Sequence, residues 1–150
     1  MRNAIWMLVI ANAALGFTFS LPAADRDERQ ERSRLCGVWL GFAVEGKGET
    51  PDRGPVKVEL TITPEVIKGR QFQGREVIDH GEGTYQLDLS KTPHALDGTK
   101  LRAGRNKDIW LGIYSLEGDT LKWCVRKKDR PSEFETKDKA FLLILKRQKK

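Results

Sequence analysis

From Gly37 to Leu145 the chain passes through eight or nine short strand-like stretches with only turn signals between them, and this spacing restricts the fold more than any other feature. Val56-Lys-Val-Glu-Leu-Thr-Ile-Thr63 alternates without a break. Val56, Val58, Leu60 and Ile62 share one side and Lys57, Glu59, Thr61 and Thr63 the other, the pattern of a strand with one wet face. Tyr85-Gln-Leu-Asp-Leu89 repeats it. Gly37 to Val44 and Phe141 to Leu145 are apolar on both sides, as strands covered on both faces are. Weaker strands are predicted at Val66 to Phe72, Glu76 to Ile78 and Ala95 to Leu101, with turns at Pro51 to Gly54, Gln73-Gly74, His80-Gly81 and Lys91 to Pro93. Parallel pairing needs crossovers of roughly a dozen residues or more, and there is no room for them. The expectation is all-β: an antiparallel up-and-down barrel of eight or nine strands, whose closure removes exposed edges. A two-sheet sandwich has the same one-dimensional pattern.

Gly112 to Cys124 carries the sharpest local prediction. With Glu117-Gly118 as a two-residue turn, Tyr114 faces Leu121, Gly112 faces Trp123 and Trp110 faces Val125. The opposite side pairs Ile113 with Lys122 and Leu111 with Cys124. The first side is uncharged and aromatic, so it belongs inside, and Gly112 leaves space for the Trp123 indole.

The start of the chain has a different character. Met1-Arg2-Asn3 is a short positive opening, Ala4 to Phe19 is uncharged and mostly apolar, and Ser20 to Ala24 supplies small residues. This is the layout of a cleaved secretory signal over residues 1–24, since the apolar run is shorter than the roughly 20 residues a membrane span needs. Residues 25–34 hold four acids and four bases with no apolar residue; a solvated helical turn would fit them, and a charged flexible leader is the expectation. Residues 35–150 then make the domain. An exported product is expected (periplasmic, cell-envelope or secreted), with no transmembrane anchor after cleavage. Cys36 and Cys124 fit one disulfide in such a compartment, worth about 4–5 kcal/mol in the chain-entropy model; separate buried thiols are the other reading. The formal charge is +6, concentrated at Arg126 to Lys128 and Lys146 to Lys150. That makes an anionic envelope polymer a candidate partner of the basic C-terminal tail, and nucleic acid a poor one for an exported chain.

Gly83-Thr-Tyr-Gln-Leu-Asp88, Lys91-Thr-Pro-His-Ala-Leu-Asp97, Gly112 to Cys124, Arg130-Pro-Ser-Glu-Phe134 and Leu142 to Arg147 together resemble the uncharacterised planctomycete-type, lipocalin-like domain family of exported bacterial proteins. The resemblance spans about Leu35 to Lys149. It implies a small β-barrel with no established catalytic activity or ligand. Gly37-Val38-Trp39 also resembles the Gly-x-Trp opening of the first lipocalin strand. The resemblance implies that a basic residue of the last strand, Arg147 or Lys146, packs across Trp39, a contact worth on the order of 1 kcal/mol.

Catalysis finds no constellation. His80 sits in a predicted turn and His94 follows Pro93, and neither lies in a motif that supplies a nucleophile. No metal-ligand spacing or phosphate loop is present, so no metal, cofactor or catalytic residue is expected. Asp88 and Asp97 read as turn caps, Glu133 as a partner for Arg130, and Arg130 as a paired side chain locking a loop to the barrel. The aromatic residues Trp39, Tyr85, Trp110, Tyr114 and Trp123 remain as a candidate barrel lining. They suit either a small apolar ligand or a plugged core. The function expected is a non-catalytic binding or interaction module, with a structural envelope protein as the alternative.

Overall fold

A computed structural model describes residues 22–45, 56–101 and 107–149. The signal segment and the Pro51 to Gly54 turn lie outside the described residues, apart from Pro22, Ala23 and Ala24. Eight antiparallel strands follow in chain order: β1 (Gly37–Glu45), β2 (Val56–Ile62), β3 (Val66–Gln73), β4 (Glu76–Asp88), β5 (Ala95–Leu101), β6 (Lys107–Glu117), β7 (Thr120–Arg126) and β8 (Phe141–Arg147). Each pairs with its neighbour, and β8 pairs back onto β1 to close the barrel. Alternation does what the pattern demands: Val58, Leu60 and Ile62 are buried inside, and Lys57 is exposed.

The count is eight because two expected strands are one. Glu76 to Ile78 and Tyr85 to Asp88 join in a single 13-residue β4. His80-Gly81 is a bulge within it and not a turn. His80 is the extra residue where the register shifts between Gly69–Gly81 and Arg70–Asp79, and the Gly81 N–H donates to Asp79 Oδ1 at 2.7 Å. An extra residue of this kind bends a strand without ending it. The outer face of β1 and β8 is also less covered than expected, since Phe42 and Ile144 stay largely exposed.

The charged leader is ordered, which corrects the flexible segment expected over 25–34. Helix α1 (Ala23–Leu35) lies across one end of the barrel. Ion pairs Glu28–Arg32 at 2.9 Å and Glu31–Arg34 at 2.7 Å support it at helical spacing. Tertiary contacts matter more, as they do for most short helices. Leu35 is fully buried and Glu31 nearly so. Arg32 donates to the Pro64 carbonyl at 2.8 Å and lies over the Tyr85 ring. A segment with no apolar periodicity thus docks through its last residue and its polar side chains.

The hairpin register differs from the prediction by two residues. Gly118 and Asp119 form the turn, Glu117 pairs with Thr120, and Tyr114 pairs with Trp123. Gly118 has φ +56°, the first-position conformation of a tight hairpin turn that glycine meets most readily. A shift of two preserves which residues face inward, so the aromatic side remains the interior.

The expected Cys36–Cys124 disulfide does not form; both cysteines are free thiols. Cys36 precedes β1 at the α1 end, where Trp39 already pairs with Arg147, whereas Cys124 pairs with Leu142 on β8. Five residues of β8 separate those pairing positions, about 16 Å at ~3.3 Å per residue, and a bridge needs Cα atoms within about 7 Å. Cys124 points outward instead, into a satellite cluster with Ile113, Ala140, Phe134 and Leu142. Burial raises the pKa of both thiols above the ordinary value.

Candidate functional site

The five aromatic residues expected to line the barrel all face inward, but they divide between its two ends. Trp39, Tyr85 and Tyr114 plug the end covered by α1. Trp39 is fully buried, and its indole N–H donates to the Leu35 carbonyl at 2.8 Å. Arg147 lies across its ring at 4.1 Å, the stacking expected of the last strand, and also donates to the Cys36 and Arg34 carbonyls. Tyr85 donates to the Thr63 carbonyl at 2.8 Å and Tyr114 to Glu31 at 3.1 Å. Burial, with Glu31 adding to it, pushes the Tyr114 phenol far above its ordinary pKa, so it stays a neutral donor. Lys146 and Arg147, counted in the basic tail, are β8 residues, and Lys146 donates to Thr120.

The other half of the barrel is open. A cavity of about 220 Å³ lies between Val58, Leu60, Ile67, Leu143, Trp110 and Trp123, with Gly69 and Gly98 among the wall residues. Glycines there leave space that side chains would fill: a Cβ at Gly98 would meet nothing nearer than the Trp123 ring at 3.5 Å. Trp110 sits at the rim, edge-on to Phe141 and beneath Lys127. Trp123 forms part of the floor.

The Trp123 indole is held by an interruption of the sheet. The β5–β6 ladder skips between Ala95–Ile113 and Gly98–Trp110. Side chains supply the missing partners: the Trp123 N–H donates to the Leu96 carbonyl at 3.0 Å, and the Gly112 N–H donates to Asp97 at 3.0 Å. The Gly112 carbonyl accepts from Arg130 at 2.8 Å. Arg130 also forks onto both Asp97 oxygens, which raises its pKa further. Arg130 therefore locks the β7–β8 connection, as expected, but its partner is Asp97 and not Glu133. Asp97 is no turn cap, whereas Asp88 is one, accepting from the Ser90 N–H at 3.0 Å.

Pro131 is buried and Phe134 covers Ile113 and Cys124. The Arg-Pro-x-x-Phe segment and the hairpin thus brace one ladder gap from outside. An R130M/D97N double-mutant cycle is expected to show a coupling of about 1–2 kcal/mol, since the fork is charge-assisted but a quarter exposed. Urea unfolding of the four proteins measures it, and additivity within about 0.3 kcal/mol would refute the lock.

His94 Nδ1 donates to the Lys91 carbonyl at 3.0 Å, and the ring leans on Tyr114. His80 contacts Gln71 at 3.0 Å on the bulge. Among the described residues no three His, Cys, Asp or Glu side chains are grouped to hold a metal ion. The site is thus an apolar barrel cavity, plugged below and open above, within an eight-stranded up-and-down barrel. Comparison with protein-family models, with curated proteins and with solved structures returns no match to this chain.

Proposed function

We propose that this protein is an exported, non-catalytic binding module that takes one small apolar or aromatic molecule in the open half of its barrel. The single observation that carries the reading is the cavity, walled by aliphatic side chains and two indoles and kept open by Gly69 and Gly98. Its volume sets the size of the guest. A 150 Å³ apolar cavity accepts benzene, so about 220 Å³ suits a bicyclic arene or a short acyl group. The lipocalin-like resemblance supports this reading, with Arg147 lying over the Trp39 of the Gly-x-Trp opening, and export rests on the layout of residues 1–24.

Unlabelled indole titrated into ¹⁵N-labelled protein is expected to shift the Trp110 and Trp123 indole N–H resonances saturably. Gly98→Leu, which places an isobutyl group against Trp123, is expected to abolish those shifts. Unmoved tryptophan resonances in the wild type, or equal shifts in G98L, would refute the cavity as a binding site.

A further inference from the structure

Resting on that reading, we infer that the guest carries an anionic head, and that Lys100 is the residue that recognises it. The barrel is not uniformly closed. Pairing of β4 with β5 stops at Thr84–Thr99. Beyond that point β4 continues paired only to β3, and β5 only to β6, as far as Leu101. Both strands run on along the cavity wall without a ladder between them, and His80 to Thr84 and Gly98 to Lys100 border it from the two sides. Lys100 spans this seam, its ammonium donating to the His80 carbonyl.

The charges around the cavity single out this ammonium. Arg70 is bound to Glu59 at 2.8 Å, Glu82 to Lys68 at 3.1 Å, and Asp108, opposite Lys100 on β6, to Lys127 at 3.5 Å. Lys100 is half-buried, and its hydrogen-bond partner among the described residues is a neutral carbonyl. An ammonium has three donors, and a bond to a carboxylate is roughly twice as strong as one to a neutral acceptor. Geometry fixes the shape of the guest. Lys100 lies two residues from Gly98 on the same face of β5, a rise of about 6–7 Å. A ring stacked on Trp123 over Gly98 therefore places an attached carboxylate at the Lys100 ammonium, where it takes the place of the His80 carbonyl. The ligand class is a small arene carboxylate or a short-chain carboxylic acid, entering along the β4–β5 seam.

The test compares 2-naphthoate with neutral 2-naphthamide by titration into ¹⁵N-labelled protein, reading the Trp123 indole and Gly81 amide resonances. Wild type is expected to bind the carboxylate about tenfold more tightly, equivalent to about 1.4 kcal/mol, and to lose most of that preference at high salt. Lys100→Met should reduce naphthoate to the affinity of the amide while leaving the amide unchanged, which also shows that the variant folds. Lys100→Arg should keep the preference. Equal affinities for the two probes in wild type, or equal weakening of both in K100M, would overturn the role of Lys100 while leaving the cavity as a binding site. If neither probe moves the tryptophan resonances, the binding reading itself fails.

Discussion

Replacing Trp39 by alanine is expected to lower the unfolding free energy by about 3–5 kcal/mol, the range for deleting a fully buried tryptophan. The side chain is completely inaccessible and joins three parts of the molecule. Its ring packs in the core with Leu35, Leu121 and Leu145, its N–H holds the last carbonyl of α1, and its face carries the Arg147 guanidinium. Alanine would leave a cavity at the plugged end and an unpaired Leu35 carbonyl, and would strip the stack from an arginine that ties β8 to the α1–β1 junction. Trp39→Phe keeps the ring and loses the indole hydrogen bond, so it should cost only about 1–2 kcal/mol. Urea denaturation followed by far-ultraviolet circular dichroism measures both. If W39A costs under about 1 kcal/mol, α1 and the plug are not coupled to the barrel in the way the contacts require.

The parts of the fold that were legible in the sequence are those that depend on period and distance alone. Val56 to Ile62 alternates because one face is wet, and short spacing forbade crossovers, so an antiparallel barrel followed. The inward face of the hairpin survived a two-residue error in register because side-chain direction repeats every two residues. Other features depend on what meets what in space. Residues 25–34 look like a solvated leader, since nothing in their local pattern reveals that Glu31 and Arg32 dock on Tyr114 and on the β2–β3 turn. His80-Gly81 carries the composition of a turn, and only pairing with Gly69 makes it a bulge. The disulfide was a count of cysteines without a distance. Of the site, the five aromatics were legible as an inward set. Their division into plug and cavity was not, because it is set by which end α1 covers. Lys100 gave no signal at all. In sequence it is one basic residue at the end of a weak strand, and it gains meaning only where the β4–β5 ladder stops beside the cavity.

Gly112→Ala is the sharpest test of how the cavity floor is built, and it is expected to destabilise by about 2–4 kcal/mol. A Cβ at this position would stand 2.6 Å from the Leu96 carbonyl oxygen, 2.5 Å from the Trp123 indole nitrogen and 2.7 Å from a Val125 methyl. No flexible side-chain end can give way, because one obstacle is the β5 backbone and another is an indole already bonded to that backbone. Overpacking of a well-filled site costs about 1–3 kcal/mol, and displacing the indole from Leu96 adds the loss of a partly buried hydrogen bond, about 1 kcal/mol. Gly98→Ala is the control. Its Cβ would meet the Trp123 ring at 3.5 Å, an ordinary contact, so the change should stay within about 1 kcal/mol of wild type. The two variants should also differ in the Trp123 indole N–H resonance, which moves in G112A as its bond to Leu96 is lost and holds in G98A. Equal tolerance of both would mean that the ladder gap relaxes freely. The floor would then not be held by the Trp123, Asp97 and Arg130 bonds that replace the missing rungs between β5 and β6.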